Sequence, residues 1–159
     1  MANNKKRILI LVFLIYCLFI LWMTIFKRTP RVERKVILDL FWSFKELLAG
    51  GKRGRKEVLQ YFNNILFFIP FGALFPWKKN WKLLLISAIT FSLMIELIQY
   101  IFMLGWCEID DVISNALGAM IGLGFVMLID KTFVQREKRN FDEYKGIVEK
   151  KRSCGSKEM

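Results

Sequence analysis

The sequence predicts an all-α integral membrane protein: four transmembrane helices, with an interfacial amphipathic helix in the first loop. Three observations predict it. Four apolar runs come near the ~20 residues that a helix needs to cross a hydrocarbon core. Hydrophobic residues make up 55% of the 159-residue chain and mean hydropathy is +0.35, although 25% of residues are charged. Apart from Glu96, the charges lie between the apolar runs rather than within them. The length suits one membrane domain over residues 1–130, followed by a basic tail over 131–159.

The first run, Ile8 to Phe26, follows Lys5-Lys6-Arg7 and is closed directly by Lys27-Arg28. It is too long for a signal peptide and lacks a small-x-small cleavage site, so it reads as an uncleaved span. The second span covers about 61–77 and contains Pro70 and Gly72, the third about 83–104, and the fourth about 112–129. Trp77, Trp81 and Trp106 fall at predicted ends, where amphipathic rings favour the interface. Between the first two spans, Val36 to Gly50 is too short to cross and is interrupted by Asp39, Lys45 and Glu46. Ile37, Leu40, Phe41, Phe44 and Leu48 recur at helical spacing there, which predicts a helix lying on the membrane surface and ending at Gly50-Gly51. The tail from Lys131 is charged, which predicts a helical start that frays into disorder.

The net charge of +11 would suggest nucleic acid in a soluble chain. Here the basic residues flank apolar runs, so the expected partners are the bilayer and its anionic lipids, not nucleic acid. Lys and Arg number 15 on the side of the termini and second loop against 10 on the other, which places both termini in the cytoplasm of a multi-pass plasma-membrane protein. With no histidine, a His-based triad or His-ligated metal is excluded. Cys17, Cys107 and Cys154 are far apart and form no CxxC, so neither a disulfide framework nor a zinc site is expected. No cofactor motif is present, and no metal is expected.

The informative residues are polar ones inside apolar helices. Glu96 lies within the third span, where a charge costs about 2.5–3.5 kcal/mol on insertion scales. Ser92, Glu96 and Gln99 share one helix side, and Asp111, Asn115, Gly118 and Gly122 share another. Alternating direction brings Asn63 and Asn64, Glu96 and Gln99, and Asp110, Asp111 and Asn115 toward the same membrane side. In the favoured orientation that is the outer half. The candidate ligand-binding set is therefore Asn64, Glu96, Gln99, Asp110, Asp111 and Asn115, with Glu96 or Asp111 as the general base if the site is catalytic. Gly118 and Gly122 form a GxxxG pair that predicts close packing of the fourth span against the third. The same residues admit plainer roles. Asp110 can cap the fourth helix. Asn64, Gln99 and Asn115 can join helices. Pro70 and Gly72 can kink the second span.

These residues carry a resemblance. Asn64-Ile65-Leu66-Phe67-Phe68-Ile69-Pro70-Phe71-Gly72 resembles the N-x-x-x-F-x-P-F-G signature of the VanZ-like family. Ser92-x3-Glu96-x2-Gln99, followed by the run from Glu108 to Ala119, resembles that family's second signature, and Leu40-Phe41-Trp42-Ser43-Phe44 its first-loop segment. The likeness extends over about residues 38–124. One departure stands out: members often carry Arg shortly before the acidic pair, and this chain has Trp106. The resemblance implies a multi-span envelope protein of the type associated with resistance to teicoplanin and related lipoglycopeptides. It fixes a class and not a reaction. The expected function is binding or modulation of a lipid-linked or lipoglycopeptide-type molecule at the outer leaflet, ranked above catalysis. The alternatives are a small proton-coupled transporter and a structural or partner-binding membrane protein.

Overall fold

A computed structural model describes residues 2–26, 32–50, 54–77 and 80–155. Among the described residues the regular structure is helical except for one two-residue parallel bridge. Its elements in order are α1 (Ala2–Phe26), β1 (Val36–Ile37), α2 (Trp42–Leu48), α3 (Gly54–Leu74), α4 (Trp81–Ile101), β2 (Cys107–Glu108) and α5 (Ile109–Gly155). Two compact units divide the chain, Met1–Gly124 and Phe125–Met159. The second unit holds the later part of α5, which includes the start of the basic tail and is described through Gly155. Residues 156–159 lie outside the described residues.

Among the described residues three helices, not four, are long and apolar enough to cross a membrane: Asn4–Ile25, Trp81–Ile101 and Ile109–Arg136. The expected second span is a 21-residue helix, α3, that starts earlier and ends at Leu74. It falls short of the others in apolar character for an identifiable reason. Its first turn carries Arg55, Lys56 and Glu57, and Gln60, Asn63 and Asn64 follow. The helix continues past Pro70, whose ring removes one helical hydrogen bond.

The interfacial helix expected over Val36–Gly50 is also corrected. Val36 and Ile37 are extended and pair in parallel with Cys107 and Glu108. Only Trp42–Leu48 is helical, and Phe41 precedes it at φ 57, a left-handed conformation that interrupts any longer helix. The proposed apolar stripe is not a single face. Ile37 is buried, while Leu40, Phe41 and Leu48 are exposed. Gly50, at φ +76, closes α2 by donating its N–H to Leu47 O.

In the first unit α1, α3, α4 and the start of α5 share one core built around Phe68, Phe71, Leu84, Ala88, Ala119 and Ile20. Aromatic rings bind it: Phe71 stacks on Phe91 at 5.5 Å and meets Phe13 at 4.9 Å. Tyr16 Oη donates to Phe67 O at 2.7 Å, which ties α1 to α3. Lys6, near the start of α1, lies 5.8 Å from the ring of Trp77, just after α3, so the two helices run antiparallel.

The glycines pack against a different neighbour from the one expected. A Cβ on Gly118 would overlap the carbonyl of Ile65, and one on Gly122 the carbonyl of Ile69. Gly72 in turn faces the carbonyl of Ala119. The close approach is therefore between α5 and α3, not between α5 and α4. Three small residues let two backbones meet where any side chain would separate them.

Candidate functional site

Helical periodicity sets this site. On α4, Ser92, Glu96 and Gln99 follow i, i+4, i+7 spacing and all three are buried. On α5, Asp111 and Asn115 lie one turn apart and are also buried. Asn64 of α3 is half-buried. Five of the six residues expected to bind a ligand line one chamber: Asn64, Glu96, Gln99, Asp111 and Asn115, with Thr24 of α1 beside them. Its volume is about 10 Å³, close to what one water requires.

Four of these five side chains are held by a partner from another element. Asn115 Nδ2 donates to Ser92 Oγ at 2.7 Å and joins α5 to α4. The backbone N–H of Glu108 donates to Glu96 Oε2 at 3.0 Å. Gln60 Nε2, from α3, donates to Asp111 Oδ2 at 2.9 Å. Gln99 Nε2 donates to Thr24 O at 3.4 Å, near the end of α1. That leaves Gln99 Oε1, fully buried, with no hydrogen-bond partner among the described residues. A buried acceptor without a donor costs about 1–3 kcal/mol, so the chamber is chemically disposed to receive one.

Asp110 does not line the chamber. Its Oδ1 accepts the backbone N–H of Phe41 at 2.8 Å. This tie holds Phe41 in its left-handed conformation, a state that costs of order 1–3 kcal/mol unless its surroundings impose it. Asp110 therefore anchors the first loop onto the start of α5. Cys107 N donates to Lys35 O at 3.0 Å, and Arg34 Nη2 to Ile101 O at 3.3 Å, so the same loop also grips the turn between α4 and α5. Trp106 is buried, and the Nζ of Lys35 lies 4.9 Å from its ring and 5.6 Å from that of Trp42. Where the resemblance led one to look for an Arg, the chain places an indole with a cation above it.

A larger cavity of about 410 Å³ adjoins the chamber. Met23 and Thr24 of α1 and Lys56, Leu59, Gln60, Asn63, Asn64 and Phe67 of α3 line it. Thr24, Asn64 and Phe67 are walls of both spaces. The sequence reading named neither Lys56 nor Gln60 as a site residue. A signal for them exists: Lys56, Gln60, Asn64 and Phe67 fall on one stripe of α3 at i, i+4, i+8, i+11.

The electrostatics are visible at Cys107, in the loop beside the chamber. Its thiol is pushed above the ordinary value of 9.0, first by burial and then by the charges of Glu96, Asp111 and Glu108. Three carboxylates thus act on one short segment. Among the described residues no group of three or more His, Cys, Asp or Glu is placed to hold a metal ion.

Residues 13–130 match the sequence model of the VanZ/LLP1 family. The chain belongs to the VanZ/LLP1 family. It is also similar to Protein VanZ of Enterococcus faecium, 25% identical over 139 residues that cover 84% of this chain and 83% of that protein. No solved structure matches. The VanZ/LLP1 match contains the chamber, the groove beside it and the α3–α5 contact. The run from Asn64 to Gly72 now has a physical reading: Asn64 faces the chamber, Phe68 and Phe71 fill the core beneath it, and Gly72 admits α5.

Proposed function

We propose that this VanZ/LLP1 protein is a multi-pass protein of the plasma membrane that binds a lipid-linked or amphiphilic envelope molecule at the outer leaflet. In this reading its role is of the lipoglycopeptide-resistance type, as with teicoplanin. The observation that carries the reading is the paired cavity. A groove of about 410 Å³ lies in the size range of small-molecule sites and shares walls with a buried chamber lined by two carboxylates and three amides. Polar groups collected at that depth in apolar helices mark a site that meets a ligand.

In this reading α3 is a fourth crossing. At ~1.5 Å per residue its 21 residues reach about 30 Å. Leu59, Phe62 and Leu66 form an exposed apolar stripe on it, suited to lipid, while its polar residues line the groove. The residues that lower its hydropathy are thus the ones the site uses. Trp77 and Trp81, exposed at the α3–α4 turn, have Lys6 and Lys82 over their rings, as side chains at a membrane interface do. Four crossings would put both termini on one side, which the excess of Lys and Arg there favours as the cytoplasm, with anionic lipids held by the basic segments. The groove, formed by the end of α1 and the start of α3, then lies in the outer half. Glu96 and Asp111 act as hydrogen-bond acceptors that orient a headgroup.

The test is susceptibility to a lipoglycopeptide in cells expressing the chain, together with membrane abundance. The expected result is that Asn64→Ala abolishes any protection at normal abundance and that Glu96→Ala does so beyond what its lowered stability explains. Protection retained in both variants overturns the reading. A reporter fused to the C-terminus and active only outside the cytoplasm would overturn the orientation.

A further inference from the structure

The groove and chamber differ in chemistry, and the difference specifies a ligand. The groove offers a cation, Lys56, with donors from Gln60 and Asn63 and apolar walls from Met23, Leu59 and Phe67. Arg55, exposed beside Lys56 in the first turn of α3, adds positive charge. The chamber offers the reverse. It presents the carboxylates of Glu96 and Asp111 and the orphaned, fully buried Gln99 Oε1. Its volume of about 10 Å³ admits one small group. Gln60 bridges the two spaces, lining the groove while donating to Asp111 Oδ2 at 2.9 Å.

We propose that the groove binds a phospholipid-type amphiphile whose phosphate sits at Lys56 and whose headgroup ends in a hydroxyl or primary ammonium that enters the chamber and donates to Gln99 Oε1. This deepens the amphiphile-binding reading above and rests on it. The phosphate is recognised by Lys56 as a charge-assisted pair. The acyl chains leave the groove along Leu59 and Phe67 toward lipid. The terminal group is selected twice over. It must carry a hydrogen, because the chamber's orphan is an acceptor. It must also be small, because the chamber has room for one heavy atom and its hydrogens. A hydroxyl and a primary ammonium meet both conditions. A trimethylammonium fails both, having no N–H and three methyl groups.

The experiment measures lipid binding to the full chain in detergent by native mass spectrometry. The probes are phosphatidylethanolamine, its mono-, di- and trimethylated forms, phosphatidylglycerol and diacylglycerol. The methylation series holds phosphate and positive charge constant while donors are removed one at a time. The expected result is that the unmethylated lipid and phosphatidylglycerol bind about tenfold tighter than the trimethylated lipid, a factor equivalent to about 1.4 kcal/mol. Comparison of the two tight lipids then shows whether an ammonium or a hydroxyl is preferred. Lys56→Gln weakens every phosphate-bearing probe and leaves diacylglycerol unchanged. Gln99→Met removes the preference across the methylation series without removing binding, and the series on the unaltered protein stands alone if that variant does not fold. Equal binding along the series, with Lys56 dependence intact, overturns the headgroup rule and leaves the amphiphile reading standing. Absence of binding by every probe, with no effect of Lys56→Gln, overturns both.

Discussion

α1 and α4 are both long apolar helices, yet they meet their surroundings in opposite ways. In α1 only 6% of the apolar window is buried, against 33% in α4. Leu11, Leu14, Ile15, Leu18 and Trp22 of α1 are exposed. α4 exposes Ile86, Leu93, Met94 and Leu97, and turns Ser92, Glu96 and Gln99 inward with Ile95. Lipid tails are as apolar as leucine, so apolar burial supplies no preference for one helix face over another. The face of α4 that packs is therefore set by its polar residues and by the small ones that let it fit. α1 reaches the site through its backbone, with Thr24 O as acceptor for Gln99, and needs no polar stripe to do so.

That contrast breaks most severely where backbones touch. Gly122→Leu places a side chain against the carbonyl of Ile69 and the backbone of Ala73. Overpacking costs typically 1–3 kcal/mol and more when backbone must move, and here it must. We expect loss of the monodisperse peak in detergent chromatography and a steep fall in membrane abundance. A Gly122→Leu protein that elutes and melts like the original would mean that α3 and α5 do not approach in this way.

The next effect tests whether α4's inward carboxylate acts by its charge or as an acceptor. Glu96→Ala strands the N–H of Glu108, at a cost of about 1–3 kcal/mol. Glu96→Gln keeps an acceptor for that N–H. We expect a lowered melting temperature for the alanine variant and a near-original one for glutamine. If glutamine destabilises as much as alanine, the ionised charge is what the fold uses.

The convergence of Asn64, Glu96, Gln99, Asp111 and Asn115 was legible in the sequence because two independent facts fix it. Spacing gives each helix its face, and alternating direction gives each residue its depth. The partner of a face was not legible. Gly118 and Gly122 announced a close contact, but spacing on α5 is silent on whether α3 or α4 supplies it. Asp110 shows the same limit: its place at the start of α5 allowed it into the site, and the left-handed Phe41 takes its side chain instead. The pairing of Val36–Ile37 with Cys107–Glu108 had no signal, since two residues are too few for a period to appear. α3 shows another limit. Its groove-lining Gln60, Asn63 and Asn64 lower its average hydropathy, and the second span expected there is not among the three described helices apolar enough to cross.

A smaller effect probes the electrostatic side of the contrast. The Cys107 thiol is raised by burial and by Glu96, Asp111 and Glu108. The folded protein therefore keeps this proton at a pH where an unfolded chain has lost it. Stability contributed by the neutral thiol is full below the ordinary value of 9.0 and declines as pH rises above it. Alkylation of Cys107 in the folded protein should be slow at pH 8 and accelerate only at higher pH than in the unfolded chain. Asp111→Asn, which keeps an oxygen for Gln60 but removes a charge, should speed it severalfold at pH 8. An unchanged rate would mean that burial alone controls the thiol.

The smallest effect is expected on α1. Leu14 is 53% exposed, so truncation there removes contact with surrounding lipid or detergent and opens no cavity. A substitution away from buried contacts, caps and strained backbone usually falls within about 0.5 kcal/mol. Leu14→Ala should therefore leave the melting temperature almost unchanged. Ile20→Ala, about one and two-thirds turns along the same helix, offers the control, because Ile20 is fully buried and lines the chamber wall. Its loss should cost about 2–5 kcal/mol, several times the effect at Leu14. Equal effects at the two positions would mean that α1 has no preferred face, and that its contact with Gln99 through Thr24 is not held by packing.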